Sequence, residues 1–264
     1  MRAWRRALAR RPGLAALLIY LGFVAIVFGR AAAPHFTTIY LGDGIDHAFF
    51  IWCLVWWPYA MVHHLNPFVS KLIFAPAGFN LTWSTSIPLL SLLAIPLTAV
   101  AGPITTFNLL CAACPALTAW TAFLLCHSLT GRFGPSLLGG YIFGFSSNML
   151  AQIFGGHLNL LAAFLIPLAV YPVLARLQGR IGRQAFTLAL LALAKAQFLI
   201  ATEILATMTV FGALALAAAW AMGGRDLRRR IAELAAPIFL AYLGAAILVS
   251  PYLYCLVAGF RTAD

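Results

Sequence analysis

Charged residues are scarce in this chain, and acidic residues are the scarcest. Charged side chains make up 9% of the 264 residues, hydrophobic side chains make up 63%, and Asp and Glu together number six. A soluble globular chain carries roughly 25% charged and roughly 45–50% apolar residues, so a soluble fold is excluded. The alternating polarity of a transmembrane β-barrel is also lacking. The composition predicts an all-α, polytopic transmembrane helical bundle.

Cysteine spacings typical of metal or redox sites are lacking as well. The five cysteines all lie in apolar runs, without zinc-type spacing. Cys111 and Cys114 form a CxxC, but it lies inside the apolar run "NLLCAACPALTAW", where small buried hydrophobic residues are the better interpretation than a redox pair. We therefore predict no metal site made by cysteine.

The net charge of +11 comes mainly from arginines that lie between the apolar runs. This clustering follows the positive-inside rule for cytoplasmic loops, and a basic surface in contact with anionic lipid headgroups explains it. We expect membrane lipids as partners and no nucleic acid. The clusters are Arg2, Arg5, Arg6, Arg10 and Arg11, then Arg176, Arg180 and Arg183, then Arg225, Arg228, Arg229 and Arg230.

The arginines also predict the topology. A first span over residues 14–33 runs outward as a signal anchor, with a signal peptide cleaved after Ala33 as the alternative. Arg132 and the later clusters are then cytoplasmic. We predict a single transmembrane domain over residues 1–264, with a long outer loop at 34–104 and the remaining spans within 105–258. The expected total is about seven spans, or about nine if two apolar segments of the outer loop also cross.

Those two apolar segments differ from ordinary spans. Residues 45–62 are rich in Trp and Tyr, which favour the membrane–water interface, and residues 87–100 contain Pro88 and Pro96, which interrupt helical hydrogen bonding. We expect interfacial or re-entrant helices there. The sequon at Asn80 between them is interpreted as a chance occurrence.

Among the later segments, residues 136–154 are predicted to form one span that ends in an outer turn at 155–159. Gly140 and Gly144 form a GxxxG in it, which predicts close helix packing. A second outer turn is expected between Lys195 and Glu203, where the two side chains are spaced for an ion pair.

This topology gathers unexpected polar residues at the outer surface. Ionisable groups at membrane depth are costly and tend to line cavities, so we predict a site there. In an alternative interpretation, Asp43 and Asp46 only cap the helix that begins near residue 45, and His157 is a satisfied turn residue. The gathered residues are Asp43 and Asp46 in "GDGID", His157 and Asn159 in "GGHLN", and Gln197 and Glu203 beside the second turn.

Several segments resemble the integral-membrane glycosyltransferases of the GT-C fold. They are the arginine-rich start, "GDGID" after the first span, the aromatic helix, "NPF…APAGFNL" and "GGHLNLLAAFLIPL". The resemblance implies a bacterial plasma-membrane enzyme with a cytoplasmic N-terminus. Such enzymes transfer a sugar from a polyprenyl-phosphate-linked donor to an extracytoplasmic glycan, lipid or protein acceptor. Because members of that family are usually longer, we expect the chain to correspond to an N-terminal portion.

The resemblance also implies roles for individual residues. An inverting transfer needs a base that takes the proton of the acceptor hydroxyl, and the resemblance gives this catalytic role to Asp43, with Asp46 as its partner or as a metal ligand. A divalent metal is the one cofactor left open. A transporter or flippase, and an inactive or structural membrane fragment, remain alternatives. The residues expected to contact donor or substrate are His47, His157, Asn159, Gln197 and Glu203.

Overall fold

A computed structural model describes residues 11–32 and 35–259, and these residues are mainly helical with very little strand, which confirms the all-α prediction. Two short strands, β1 (Val69–Ser70) and β2 (Phe79–Asn80), pair antiparallel, with Val69 opposite Asn80. The helices are α1 (Pro12–Ala32), α2 (His47–Val62), α3 (Pro88–Leu93), α4 (Ile95–Ala101), α5 (Pro103–Thr130), α6 (Phe133–Gly144), α7 (Ser147–Gly155), α8 (Leu158–Leu161), α9 (Leu165–Leu177), α10 (Arg183–Phe198), α11 (Thr202–Met222), α12 (Arg225–Ala232), α13 (Ala235–Leu248) and α14 (Ser250–Ala258). The arginines before Arg11 and the candidate cleavage position at Ala33 lie outside the described residues.

Within the described residues, five helical stretches are long and apolar enough to cross a bilayer, fewer than the seven predicted. The aromatic helix α2 is also apolar but shorter than these stretches. The stretches are Pro12–Gly29, Pro103–Thr130, Leu158–Leu177, Thr202–Met222 and Arg225–Leu248.

The span predicted over residues 136–154 is not one continuous helix. The structure divides it into α6 and α7 at Phe145 and Ser146. Ser146 Oγ accepts a hydrogen bond from the backbone N–H of Met149, so this side chain caps α7 and a new helix begins there.

The chain forms two compact units, and the first contains Met1–Leu54 and Ala94–Leu168. Its core lies where α1 and α6 pack on α5, around Tyr20, Phe123 and Phe145. The predicted close packing of the GxxxG is present, because Gly140 and Gly144 both lie directly against Ala119 of α5.

Helix α5 connects two ends of the first unit, one at the loop before α2 and the other at Arg132, directly after α5 and its C-cap glycine. Near its start, the Asn108 side chain accepts a hydrogen bond from Leu41 N–H at 2.8 Å and donates one to the Ile39 carbonyl at 2.9 Å. Near its other end lies the start of α1, where Trp120 Nε1 donates to the Gly13 carbonyl at 2.9 Å. At about 1.5 Å per residue, α5 extends roughly 33 Å from Asn108 to its end, close to the roughly 30 Å of a hydrocarbon core. The loop before α2 and the arginine that follows α5 therefore lie a membrane thickness apart.

The second unit contains Val55–Leu93 and Ala169–Asp264. Helices α10 and α13 pack around Phe186, Leu190, Leu234 and Ala241. The turn between α10 and α11 lies within the predicted range, and Leu89 N–H donates to its Leu199 carbonyl at 3.1 Å.

Arginines of the second unit bind helix ends. Arg228 donates to the carbonyls of Trp220 and Ala221 at the end of α11, each at 2.9 Å. Arg230 Nη1 donates to the Leu177 carbonyl at the end of α9, also at 2.9 Å. The second and third arginine clusters of the sequence therefore meet at one end of this unit.

The sequon asparagine is a buried structural residue. Asn80 Nδ2 donates to the Cys255 carbonyl at 3.1 Å, and its Oδ1 accepts from Thr82. A glycan on this fully buried nitrogen is incompatible with the fold. Cys111 and Cys114 are buried and unbonded, as core residues would be.

Candidate functional site

The structure brings Asp46 and His157 together from distant parts of the sequence. Asp46 Oδ2 lies 3.1 Å from His157 Nε2, and the side chains are 46% and 38% exposed, respectively. Asp46 directly precedes α2, and His157 lies in the turn between α7 and α8. A half-exposed carboxylate–imidazole pair can take up or release a proton at a surface that a ligand can reach.

Backbone hydrogen bonds between two glycine-rich turns position this pair. The N–H groups of Asp43 and Gly44 both donate to the Phe154 carbonyl, at 3.2 and 3.0 Å. That carbonyl belongs to the last turn of α7, whose carbonyls have no partner within the helix. The "GDGID" loop therefore caps the C-terminal end of α7, directly before His157.

Three glycines, at positions 42, 44 and 156, permit the close approach of the two turns. A Cβ on Gly44 would lie 2.7 Å from the carbonyl carbon of Gly155, and one on Gly42 would lie 2.6 Å from the Ile153 carbonyl oxygen. Gly156 has φ +77°, and a Cβ there would lie 2.5 Å from Nδ1 of the His47 ring. Side chains at these positions would separate the loop from the helix end, so "GDGID" and "GGH" form one structural element.

The His47 ring contacts the backbone of the loop that precedes α2. Its ring is fully buried, with Nδ1 2.8 Å from the Gly44 carbonyl and Nε2 2.7 Å from the Leu41 carbonyl, and Tyr40 stacks on it. Carbonyl oxygens only accept, so a ring nitrogen that carries a proton donates it to the carbonyl it faces. The sequence predicts that His47 contacts the sugar donor or substrate. In the structure, both of its ring nitrogens lie at hydrogen-bond distance from backbone carbonyls of the loop before α2.

The Asp46 carboxylate has a partner outside α2. Asp46 directly precedes the helix, and its backbone carbonyl accepts from Phe50 N–H at 3.2 Å, but its carboxylate faces His157. The Asp43 carboxylate is exposed, and it has no hydrogen bond or ion pair with the part of the chain that the structure describes. Capping alone therefore does not account for this pair of carboxylates.

Two amides of α7 extend the pair, and sequence reasoning missed both. His157 Nδ1 lies 2.6 Å from Gln152 Oε1, and Gln152 Nε2 donates to Asn148 Oδ1 at 3.2 Å. Their signal in the sequence is the spacing of four residues on an otherwise apolar helix, which places both on one face. The result is a continuous row of four polar side chains that ends at Asp46.

The remaining predicted residues lie away from this pair or in the other unit. Asn159 is buried in α8, and its Oδ1 has no partner among the described residues. Gln197 and Glu203 belong to the second unit. Gln197 is fully buried, and its Nε2 donates to the Ala201 carbonyl at 3.4 Å.

Glu203 does not form the ion pair considered with Lys195. Its carboxylate accepts hydrogen bonds from Thr85 Oγ1 and, at 3.5 Å, from Thr202 Oγ1. Ion pairs within the described chain do not include Lys195. In the same residues, no group of three or more His, Cys, Asp or Glu is arranged to hold a metal.

Comparison with known families gives a match over most of the chain. A family model described as a domain of unknown function, DUF6311, matches residues 16–250. The matched region includes both glycine turns of the site. No curated protein and no solved structure matches the chain.

Proposed function

We propose that this chain, which belongs to the DUF6311 family, is a membrane glycosyltransferase of the GT-C type. In this proposal it moves a sugar from a polyprenyl-phosphate-linked donor to a hydroxyl of an extracytoplasmic acceptor. The observation that supports it best is the half-exposed Asp46–His157 pair, held in place by two glycine turns, with the exposed carboxylate of Asp43 three residues away.

A topology of seven crossings accompanies the proposal. The five long stretches provide five of them, and we assign the other two to the bent pair α6–α7 and to the shorter helix α10. Every arginine cluster is then cytoplasmic, as the positive-inside rule requires. The Asp46–His157 pair lies on the outer side, where a lipid-linked donor presents its headgroup.

The chemistry requires a single base. The acceptor oxygen forms a bond to the anomeric carbon while its O–H bond breaks, and the phosphate of the donor leaves with the electron pair of its bond to the sugar. Asp46 takes the proton, because its carboxylate is backed by an imidazole that can share it. Asp43, whose carboxylate is exposed and has no hydrogen bond or ion pair with the described residues, binds hydroxyl groups of the substrates and orients them.

Sugar transfer from lipid-linked donors should depend on Asp46. In membranes that contain the full chain, we expect Asp46→Asn to lower the rate by at least about 100-fold, because general base catalysis contributes roughly 10²–10⁴-fold. Asp43→Asn should have a smaller effect. The matched control is Asp226→Asn, an exposed carboxylate on the basic helix α12, which should leave the rate unchanged. Equal transfer by wild type, Asp43→Asn and Asp46→Asn would contradict the proposal.

The orientation can be tested by labelling introduced cysteines from one side of the membrane. Four native cysteines are buried, and burial raises the pKa of the Cys53 thiol, which slows its alkylation. In a Cys126→Ala background, Ile45→Cys should react with an impermeant maleimide in intact cells. Gln178→Cys, beside the arginines, should react only after permeabilisation. Labelling of both positions from the same side would refute the seven-crossing topology.

A further inference from the structure

We infer, with its catalytic meaning resting on the proposed function, that Gln152 is a positioning residue that fixes the proton on His157 Nδ1. This leaves Nε2 as the nitrogen that accepts a proton from Asp46. Neither the sequence motifs nor the family match assigns a role to Gln152.

The hydrogen bonds define which nitrogen is protonated. An amide oxygen only accepts, so Nδ1, at 2.6 Å from Gln152 Oε1, must carry the proton. The orientation of the amide is fixed in turn, because its nitrogen donates to Asn148 Oδ1 at 3.2 Å. In a neutral imidazole with a protonated Nδ1, Nε2 has the lone pair. The atom that faces Asp46 is therefore the proton acceptor.

Gln152 holds the histidine at two points. Its backbone carbonyl accepts a hydrogen bond from the His157 backbone N–H at 3.0 Å, while its side chain binds the ring. Gly156, with φ +77°, turns the chain back after α7 and makes both contacts possible. The ring therefore has its position and its tautomer set by one residue.

In this arrangement, Asp46 Oδ2 and His157 Nε2 share one proton. A carboxylate oxygen and an imidazole lone pair 3.1 Å apart repel unless a proton lies between them. The proton removed from the acceptor hydroxyl fills that position when the sugar–oxygen bond forms. The other titratable groups nearby are Asp43 in the same loop and His47 on the far side of Gly156.

The tautomer can be measured without any assay of transfer. Two-bond ¹H–¹⁵N spectra of the ¹⁵N-histidine-labelled chain in detergent, recorded over a pH series, distinguish protonated Nδ1 from protonated Nε2 in the neutral ring, and His157→Asn identifies the signal. Wild type and Gln152→Glu, which keep an acceptor, should show protonated Nδ1. Gln152→Leu, of similar size but without an acceptor, should shift the ring to protonated Nε2. Protonated Nε2 in wild type, or an unchanged tautomer in Gln152→Leu, would overturn the inference.

A parallel transfer assay separates this inference from the proposed function. We expect Gln152→Leu to lower the rate by at least about tenfold, a part of the general-base contribution, and Gln152→Glu to restore most of it with a pH optimum moved upward. If the tautomer changes as expected but the wild type transfers no sugar, the proposed function fails and the positioning role of Gln152 stands. If transfer depends on Asp46 but the His157 tautomer is the same in wild type and Gln152→Leu, the proposed function stands and the positioning role of Gln152 fails.

Discussion

Gly44→Val is expected to separate the "GDGID" loop from α7 and to abolish sugar transfer. The new Cβ would lie 2.7 and 2.8 Å from backbone atoms of Gly155, and a helix end cannot yield as a flexible side chain does. Overpacking typically costs about 1–3 kcal/mol and occasionally more, and backbone crowding places this variant at the upper end. Thermal unfolding of the purified chain, followed by tryptophan fluorescence, should show a midpoint lowered by roughly 6–12 °C.

The control for this variant is Gly182→Val. Gly182 also lies in a connecting segment with an extended backbone, and a Cβ there meets nothing within 4 Å. Valine at this position should leave the melting midpoint and the transfer rate close to wild type. If Gly44→Val and Gly182→Val had the same melting midpoint, the close approach of the two glycine turns would not be what stabilises the site.

Gly144→Leu should have the largest effect on folding of the chain itself. A Cβ on Gly144 would come within 2.6 Å of the Pro115 carbonyl oxygen and within 2.5 Å of the Ala119 side chain. Leucine would force α6 away from α5 and open the core around Phe145. We expect a loss of about 3 kcal/mol or more in unfolding free energy and, in size-exclusion chromatography, aggregated material in place of a single symmetric peak.

The same change at Gly212 serves as the comparison. Gly212 lies in the middle of α11, and no atom lies within 4 Å of the position its Cβ would take. Gly212→Leu adds an equal apolar side chain to a helix surface that has room for it. A symmetric peak from both variants would show that the GxxxG does not set the distance between α5 and α6.

The sequence predicted the features that depend on composition and on local spacing. The aromatic run at 45–62 predicted a helix, and the structure has α2 from His47 to Val62. The turn between Lys195 and Glu203 was also located, because the apolar stretch around it is too long for one crossing. The sequence also predicted that the two glycine turns lie together, and the structure places Asp46 against His157.

What the sequence could not predict depends on partners that are distant along the chain. The break at Ser146 was missed because an isolated serine is equally compatible with a continuous span. Asn108 and Gln152 were missed since a lone amide in an apolar run does not indicate what it binds. His47 was assigned to substrate because nothing in the pattern shows that two backbone carbonyls face its ring.

The arginine contacts at the ends of α9 and α11 have a consequence for biogenesis. In the folded protein, the guanidinium groups of Arg228 and Arg230 donate to carbonyl oxygens at helix ends. In the seven-crossing topology that we propose, the same positive charges would direct the orientation of the chain during insertion. Under that proposal, replacing either arginine with a neutral residue would weaken the insertion signal and uncap a helix in one step.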